Sequence, residues 1–193
     1  MEKTDSQIIS DYLSGDEGAL SEIIGRYLKP IFNFIYRLVG TPQDAQDITQ
    51  ETFIKAWRNL NKYNRQESFK AWIFTIAHNT AIDWLRKKKS LVFSDFENEK
   101  GKNFLEENIA DTSLLPDELI IKKEDERLID GILNKLPPTY KEVVVLHYMN
   151  ELTFEEIGRV LKKPLNTVKS QHRRALLILK DILNAPKTHG KAY

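Results

Sequence analysis

Two short helical patterns separated by a proline break occupy Leu152 to Lys180, LTFEEIGRVLKKPLNTVKSQHRRALLILK, and such a pair leaves a chain few ways to fold around it. Thr153 stands before the first apolar residues and Glu156 three positions later, the reciprocal arrangement of a capping box, with Leu152 and Ile157 spaced as a hydrophobic staple. Phe154, Ile157, Val160 and Leu161 keep one apolar face as far as Lys162-Lys163-Pro164. Proline ends the helix there because it lacks an amide donor and crowds the residue before it. The spacing predicts a helix-turn-helix.

In the second helix Val168, Ala175, Leu176 and Leu179 fall on one stripe, and Asn166, Lys169, Ser170 and Arg173 on another at i, i+3, i+4, i+7. Between Lys162 and Lys180 there are six bases (Lys162, Lys163, Lys169, Arg173, Arg174, Lys180) and no acid, on a chain whose formal charge is only +1. Such a face suits a major groove, where Asn and Arg read base edges and Lys meets phosphate. A solvated basic helix in an ordinary bundle carries similar charge. The capped partner helix and the short turn favour DNA.

At 193 residues the chain has room for one large or two small domains. It has no cysteine, which excludes disulfides, thiolate metal sites and a cysteine nucleophile and fits a reducing cytoplasm. No apolar run reaches the roughly 18 residues of a membrane span, and Met1 to Asp5 does not resemble a signal peptide, so a cytoplasmic protein without membrane insertion is expected.

From the N-terminus, a short helix is predicted over Gln7 to Leu13 and a longer one over Glu17 to Val39. The second presents Ile23, Ile24, Tyr27, Leu28, Ile31, Phe34, Ile35 and Leu38 as a broad apolar face, with Pro30 inside it. Thr41-Pro42 starts a third helix, about Pro42 to Asn61, with Thr41 as N-cap and Asp44 in the first turn. Asp44, Asp47 and Glu51 share one side of it with Gln50 nearby and no base before Glu51, the pattern of a docking surface for a basic partner or of a solvated face. Phe53, Ala56, Trp57 and Leu60 take the other side.

Lys62 to Glu67 reads as a loop, and Ser68 caps a fourth helix that buries Phe69, Trp72, Ile73 and Ile76. Its outer face repeats Asn79, Asp83 and Arg86, and it is predicted to end in Arg86-Lys87-Lys88-Lys89. All three tryptophans lie between Trp57 and Trp84, interleaved with bases. Core packing accounts for most of these rings; a site for unstacked bases over a phosphate-tracking basic run accounts for the rest.

Periodicity fails over Ser90 to Pro116, and Ser94 to Glu126 holds eleven acids against four bases, the composition of a flexible acidic linker. Helix is expected again from Pro116 or Asp117 to Leu133, and over Thr139 to Met149 with Tyr140, Val143, Val144 and His147 on one stripe. The tail 185–193 should fray. His78, His147, His172 and His189 stand far apart in the chain, and no phosphate loop or nucleophile elbow is present, so no metal, no cofactor and no catalytic residue is expected.

Two blocks together resemble one family. DAQDITQETFIKAW with SFKAWIFTIAHNTAIDWLRKKK is similar to region 2 of bacterial extracytoplasmic-function sigma factors, and LPPTYKEVVVLHYMNELTFEEIGRVLKKPLNTVKSQHRRAL to their region 4. The resemblance implies an all-α fold of two small helical domains, region 2 at 1–89 and region 4 at 117–184, on either side of a linker at 90–116. It implies a dissociable, non-catalytic specificity subunit whose partners are core RNA polymerase, promoter DNA and an anti-sigma factor. By position, Asp44, Asp47, Ile48, Gln50 and Glu51 match the polymerase-docking segment. Tyr63, Asn64, Arg65, Asn79, Asp83, Arg86 and Lys87 match the part that captures the −10 element as single strand. Pro164, Asn166, Thr167, Lys169, Ser170, Arg173 and Arg174 match the reader of duplex −35. Asn166 stands where glycine is usual, Gln171 where arginine is common, and His172 where leucine is. The rival expectation is a helix-turn-helix regulator that binds no polymerase.

Overall fold

The computed structural model describes residues 3–96 and 127–184, and every regular element in them is helical. Four helices form the N-terminal half: α1 Asp5–Leu13, α2 Glu17–Val39, α3 Pro42–Arg58 and, after a 3-10 turn at Leu60–Lys62, α4 Phe69–Phe96. The C-terminal half has helical residues 127–133 (α5), α6 Pro138–Val144, a π turn at Val145–Met149, α7 Phe154–Leu161 and α8 Leu165–Asn184.

The ends form where the local chemistry stops or starts them. Gly40 closes α2 at φ 85, a left-handed conformation that costs glycine little. Ser68 Oγ accepts from the Ala71 amide at 3.2 Å and caps α4. Thr41 sits at the N-cap of α3 but makes no cap bond; its hydroxyl donates to the Asp44 carboxylate instead. Several helix bounds are corrected: α1 begins at Asp5 rather than Gln7, and α3 ends at Arg58 rather than near Asn61. α4 continues through Phe96 rather than ending at Lys89, and the helix expected over Thr139 to Met149 widens to a π turn from Val145. The rest of the expected linker, the start of the helix expected from Pro116 or Asp117, and the tail 185–193 lie outside the described residues.

α2, α3 and α4 pack around Ile31, Phe34, Ile35, Ile48, Ile73 and Phe74, all 1% exposed or less. Phe34 and Phe74 meet edge to face at 5.4 Å, and Tyr27, Tyr63 and Trp72 pack around Phe69. Burial of the Tyr27 ring, reinforced by its bond to Asp5, pushes its hydroxyl well above the usual tyrosine range. Leu28, expected on the apolar face of α2, is 48% exposed, because α1, α3 and α4 cover the other side of that helix. The C-terminal half closes over Val143, Leu146, Leu152, Ile157, Val160, Val168 and Ala175. Leu176, expected on the buried stripe of α8, is exposed.

The halves are docked on each other, with α4 against α7. Arg37 pairs with Asp130 at 2.8 Å, and Lys141 donates at 2.6 Å to the Arg37 carbonyl, an orphan acceptor in the last turn of α2. Burial pushes the Lys141 ammonium below its usual range. The Glu142 carboxylate lies 3.7 Å from His78 Nε2 on α4 and 3.8 Å from Lys163 Nζ in the turn before α8.

Candidate nucleic-acid interface

α8 is set by the turn in front of it. The capping box forms as its spacing predicts: the Glu156 amide donates to Thr153 Oγ1 at 3.3 Å, and the Thr153 amide to Glu156 Oε2 at 2.8 Å. Burial raises the Glu156 carboxyl, but hydrogen bonds from Thr153 and from the Ser68 hydroxyl of the other half, with the Arg159 charge, outweigh it and leave the group below the usual carboxylate range. Lys162 turns left-handed at φ 52, and the Lys163 amide closes on the Gly158 carbonyl at 2.9 Å. A Cβ on Gly158 would stand 2.9 Å from the Lys163 carbonyl oxygen, so the tight break requires glycine there.

Beyond the break, Val168 and Ala175 are fully buried, which turns Asn166, Lys169, Ser170, Arg173 and Arg174 outward on an exposed face. Pro164 is exposed and its carbonyl accepts from the Thr167 amide at 2.9 Å; Thr167 is half-buried. Ser170 Oγ donates to the Thr167 carbonyl at 2.9 Å. Side chains of this kind on a helix that stands clear of its own core have the reach and donor geometry for a major groove.

On α3, Asp47, Gln50 and Glu51 are exposed, with Glu51 2.7 Å from Lys55. Asp44 is half-buried between Thr41 and Lys88, whose Nζ is 3.2 Å away and also 4.5 Å from the Trp84 ring centroid. Ile48 is 1% exposed, which corrects its reading as a docking contact: it holds α3 on the core while its polar neighbours face out.

The expected −10 residues divide the same way. Asn64 and Arg65 are exposed on the loop, with Asn64 Oδ1 accepting from the Gln66 amide at 3.1 Å. Tyr63 is 8% exposed, its ring against Phe69 and Trp72 and its hydroxyl donating to the Glu67 carbonyl at 2.6 Å. That corrects its reading as a contact residue; Tyr63 pins the loop. On α4 Asp83, Arg86 and Lys87 are exposed and Asn79 half-buried, with Arg86 3.7 Å from Asp83.

Asn79 and Asp83 open onto a cavity of about 480 Å³ whose other walls are Lys55, Asn59, Lys62, Thr80 and, expected in the core instead, Trp72 and Ile76. Lys55 Nζ donates to Thr80 Oγ1 at 3.3 Å across it. The signal was present as two stripes of helical period, 55, 59, 62 running from the end of α3 into the 3-10 turn and 72, 76, 79, 83 on α4. Two amides, two ammonium groups and an indole around one opening suit a flat, hydrogen-bonding ring next to a phosphate.

The histidines distant in sequence are not all distant in space, since the His147 and His172 rings lie 5.2 Å apart. Among the described residues no group of three or more His, Cys, Asp or Glu gathers to hold a metal ion, and no helix is long and apolar enough to cross a membrane.

A family model described as Sigma-70 region 2 matches residues 23–91, and one described as Sigma-70, region 4 matches residues 126–179. The ECF RNA polymerase sigma factor SigW of Bacillus subtilis is 34% identical over 176 residues, 90% of this chain and 94% of that protein. The RNA polymerase sigma-H factor of Pseudomonas aeruginosa is 29% identical, over 90% and 91% of the two chains. Two solved structures share the fold: CnrH in complex with the cytosolic domain of CnrY (TM-score 0.67, 21% identity, 94% and 98% covered) and RpoE in complex with the anti-sigma factor NepR from Bartonella quintana (0.66, 22%, 87% and 98%).

Proposed function

This chain belongs to the extracytoplasmic-function sigma factors of the sigma-70 family and directs promoter-specific transcription initiation, and from that premise we propose how its surfaces divide the work. Residues 1–89 act as region 2 and 117–184 as region 4, in the cytoplasm, where polymerase and promoter meet. The observation that carries the reading is the segregation of charge onto opposed tasks: an acidic face on α3 and an exposed face on α8 whose charges as far as Lys180 are all basic.

Asp47, Gln50 and Glu51 dock core polymerase, with Asp44 steadied by Lys88 at their edge. The −10 element enters as single strand over Asn64, Arg65, Asn79, Asp83, Arg86 and Lys87, and one unstacked base occupies the cavity between Lys62 and Trp72. Asn166, Thr167, Lys169, Ser170, Arg173 and Arg174 read duplex −35 after the Pro164 break. The chain adds no catalytic group of its own to initiation. Unstacking costs a few kcal/mol per step, and stacking at about 1–3 kcal/mol per captured base, with phosphate contacts, offsets it.

The docked halves separate to do this. Elements centred near −35 and −10 lie about 25 base pairs, roughly 85 Å, apart along straight duplex. A compact chain of 193 residues has a radius of gyration of about 16 Å, so it is roughly 40 Å across. The ion pairs of Arg37 and Glu142 therefore hold a resting arrangement. An anti-sigma partner is part of the proposal, on the model of the CnrH and RpoE complexes.

In vitro transcription with core enzyme on a genomic promoter pool tests the function. Discrete start sites dependent on the chain are expected, and none at any site overturns the reading. Asp47→Lys with Glu51→Lys should abolish co-purification with core enzyme while the helical circular-dichroism signal persists; unchanged binding removes α3 from the docking role.

A further inference from the structure

One polar cluster lies outside every surface assigned so far. The π turn carries His147 and Tyr148, α7 brings Phe154, and α8 brings His172. His147 Nδ1 is 2.9 Å from the Leu152 carbonyl oxygen, which only accepts, so the proton resides on Nδ1 and fixes the tautomer. Its ring stacks on Phe154 at 4.6 Å and meets His172 edge-on at 5.2 Å. Tyr148 Oη lies 3.0 Å from His172 Nε2, and the two rings stack at 5.6 Å. The wide turn that presents these groups is itself tied down: the buried Asn150 side chain donates to the Val145 carbonyl at 3.0 Å, and the Leu152 amide to the Leu146 carbonyl at 3.1 Å. π turns recur where a helix must re-aim particular side chains.

His172 shares the stripe of Val168 and Ala175, the two fully buried residues of α8, and stands next to Arg173. Apolar packing of two small side chains resists lifting the helix off its bed but resists rotation about its own axis weakly, because dispersion contacts have no direction. A hydrogen bond at the edge of the stripe has one. A helix with its side chains is about 10–12 Å across, so a rotation of roughly 10° moves a surface group by about 1 Å. That is enough to spoil a bidentate contact whose useful range is about 2.7–3.2 Å.

We propose that His172 is a positioning residue for −35 reading: through Tyr148, His147 and Phe154 it sets the rotation of α8, and hence which base edges Arg173 and Lys169 reach, without touching DNA. Burial, with His147 close by, holds its ring below the usual histidine range. The ring is accordingly neutral at physiological pH, with Nε2 free to accept from Tyr148. Leucine at this position would fill the stripe and leave the rotation to packing alone. The proposal rests on α8 being the −35 reader.

The test uses holoenzyme reconstituted from core polymerase and the full chain, on promoters with a constant −10 and a randomised −35 segment, reading which sequences are transcribed. Tyr148→Phe removes only the hydroxyl, His172→Leu only the polar edge, and His172→Gln keeps a hydrogen-bonding group. The first two should leave thermal stability and polymerase binding near those of the unsubstituted chain while discrimination between the best −35 and its single mismatches falls severalfold; His172→Gln should restore most of it. Unchanged discrimination in both, with Arg173→Ala still altering it, overturns the proposal. So does a loss that follows thermal stability and that His172→Gln fails to rescue. If Arg173→Ala also leaves the −35 preference unchanged, it is the −35 assignment of α8 that fails, and the proposal with it.

Discussion

The N-terminal half buries five aromatic rings, Tyr27, Phe34, Tyr63, Phe69 and Phe74, whereas the buried apolar residues of the C-terminal half are aliphatic or alanine throughout. In the proposed function each half presents a nucleic-acid surface, and the two would be built differently. In the C-terminal half one helix carries all the reading side chains. The core's task is to keep that helix at one height and one rotation, which Val168, Ala175 and the His172 cluster divide between them. In the N-terminal half the surface is a groove between α3 and α4 floored by Trp72, and its shape depends on two helices and a pinned loop keeping their distance. A large interlocking aromatic core suits the second task, because an error in either helix changes the cavity. The first needs less mass and more direction.

The largest expected effect follows from that contrast. Phe74→Ala should cost about 3–5 kcal/mol, against roughly 2 kcal/mol for Val168→Ala, because a buried ring leaves the larger unfilled space. Urea unfolding followed by tryptophan fluorescence is the measurement, since Trp57, Trp72 and Trp84 all report from the N-terminal half. If Val168→Ala moves that midpoint as far as Phe74→Ala does, the halves unfold as one body and the contrast fails.

A middle-sized effect separates two glycines. Gly158→Ala pushes a methyl to 2.9 Å from a backbone oxygen and should destabilise by about 1–3 kcal/mol while weakening duplex −35 binding. Gly25→Ala, in α2 with nothing within 4 Å, should stabilise by about 0.5–1 kcal/mol through helix propensity. Thermal melts of both variants check the pair. Equal signs would mean that the turn before α8 is looser than its geometry.

On the DNA side, Arg173→Ala should cost about 1–3 kcal/mol on the preferred −35 and little on others if it reads a base, whereas Lys169→Ala should weaken all sequences alike and lower the salt slope by about one. Competition binding of holoenzyme at two salt concentrations distinguishes them.

The smallest effect is protonic. The folded-state pKa of His172 lies below its ordinary 6.5, so the unfolded chain takes up the proton first as pH falls. Its stabilisation is complete above 6.5 and is lost as pH drops through the folded value. A pH series of melts should show a slope below neutrality that His172→Leu flattens.

Much of the local architecture was legible in the residues. The capping box at Thr153 and Glu156, the bounds of α2 and the outward face of Asn166, Lys169 and Arg173 all form as spacing predicts, because each depends on residues within a turn or two. Ile48, Tyr63, Leu28 and Leu176 did not follow, since helical period gives a direction around one axis and says nothing of which neighbour covers it. Asp44 shares a side of α3 that has no base before Glu51, yet Lys88, on another helix, closes on it.

By itself, then, the order of residues determined that the chain is helical, where most helices start and stop, and that acid collects on α3 and base on α8. Those properties rest on hydrogen bonds and periodicities of a few residues. Only the tertiary structure decided that Lys55 to Lys62 faces Trp72 to Asp83 across a cavity, that Glu142 lies between His78 and Lys163, and that His172 meets Tyr148. Those pairings join side chains on different elements, several of them dozens of residues apart. Only competition among whole packed arrangements, not any local preference, selects them.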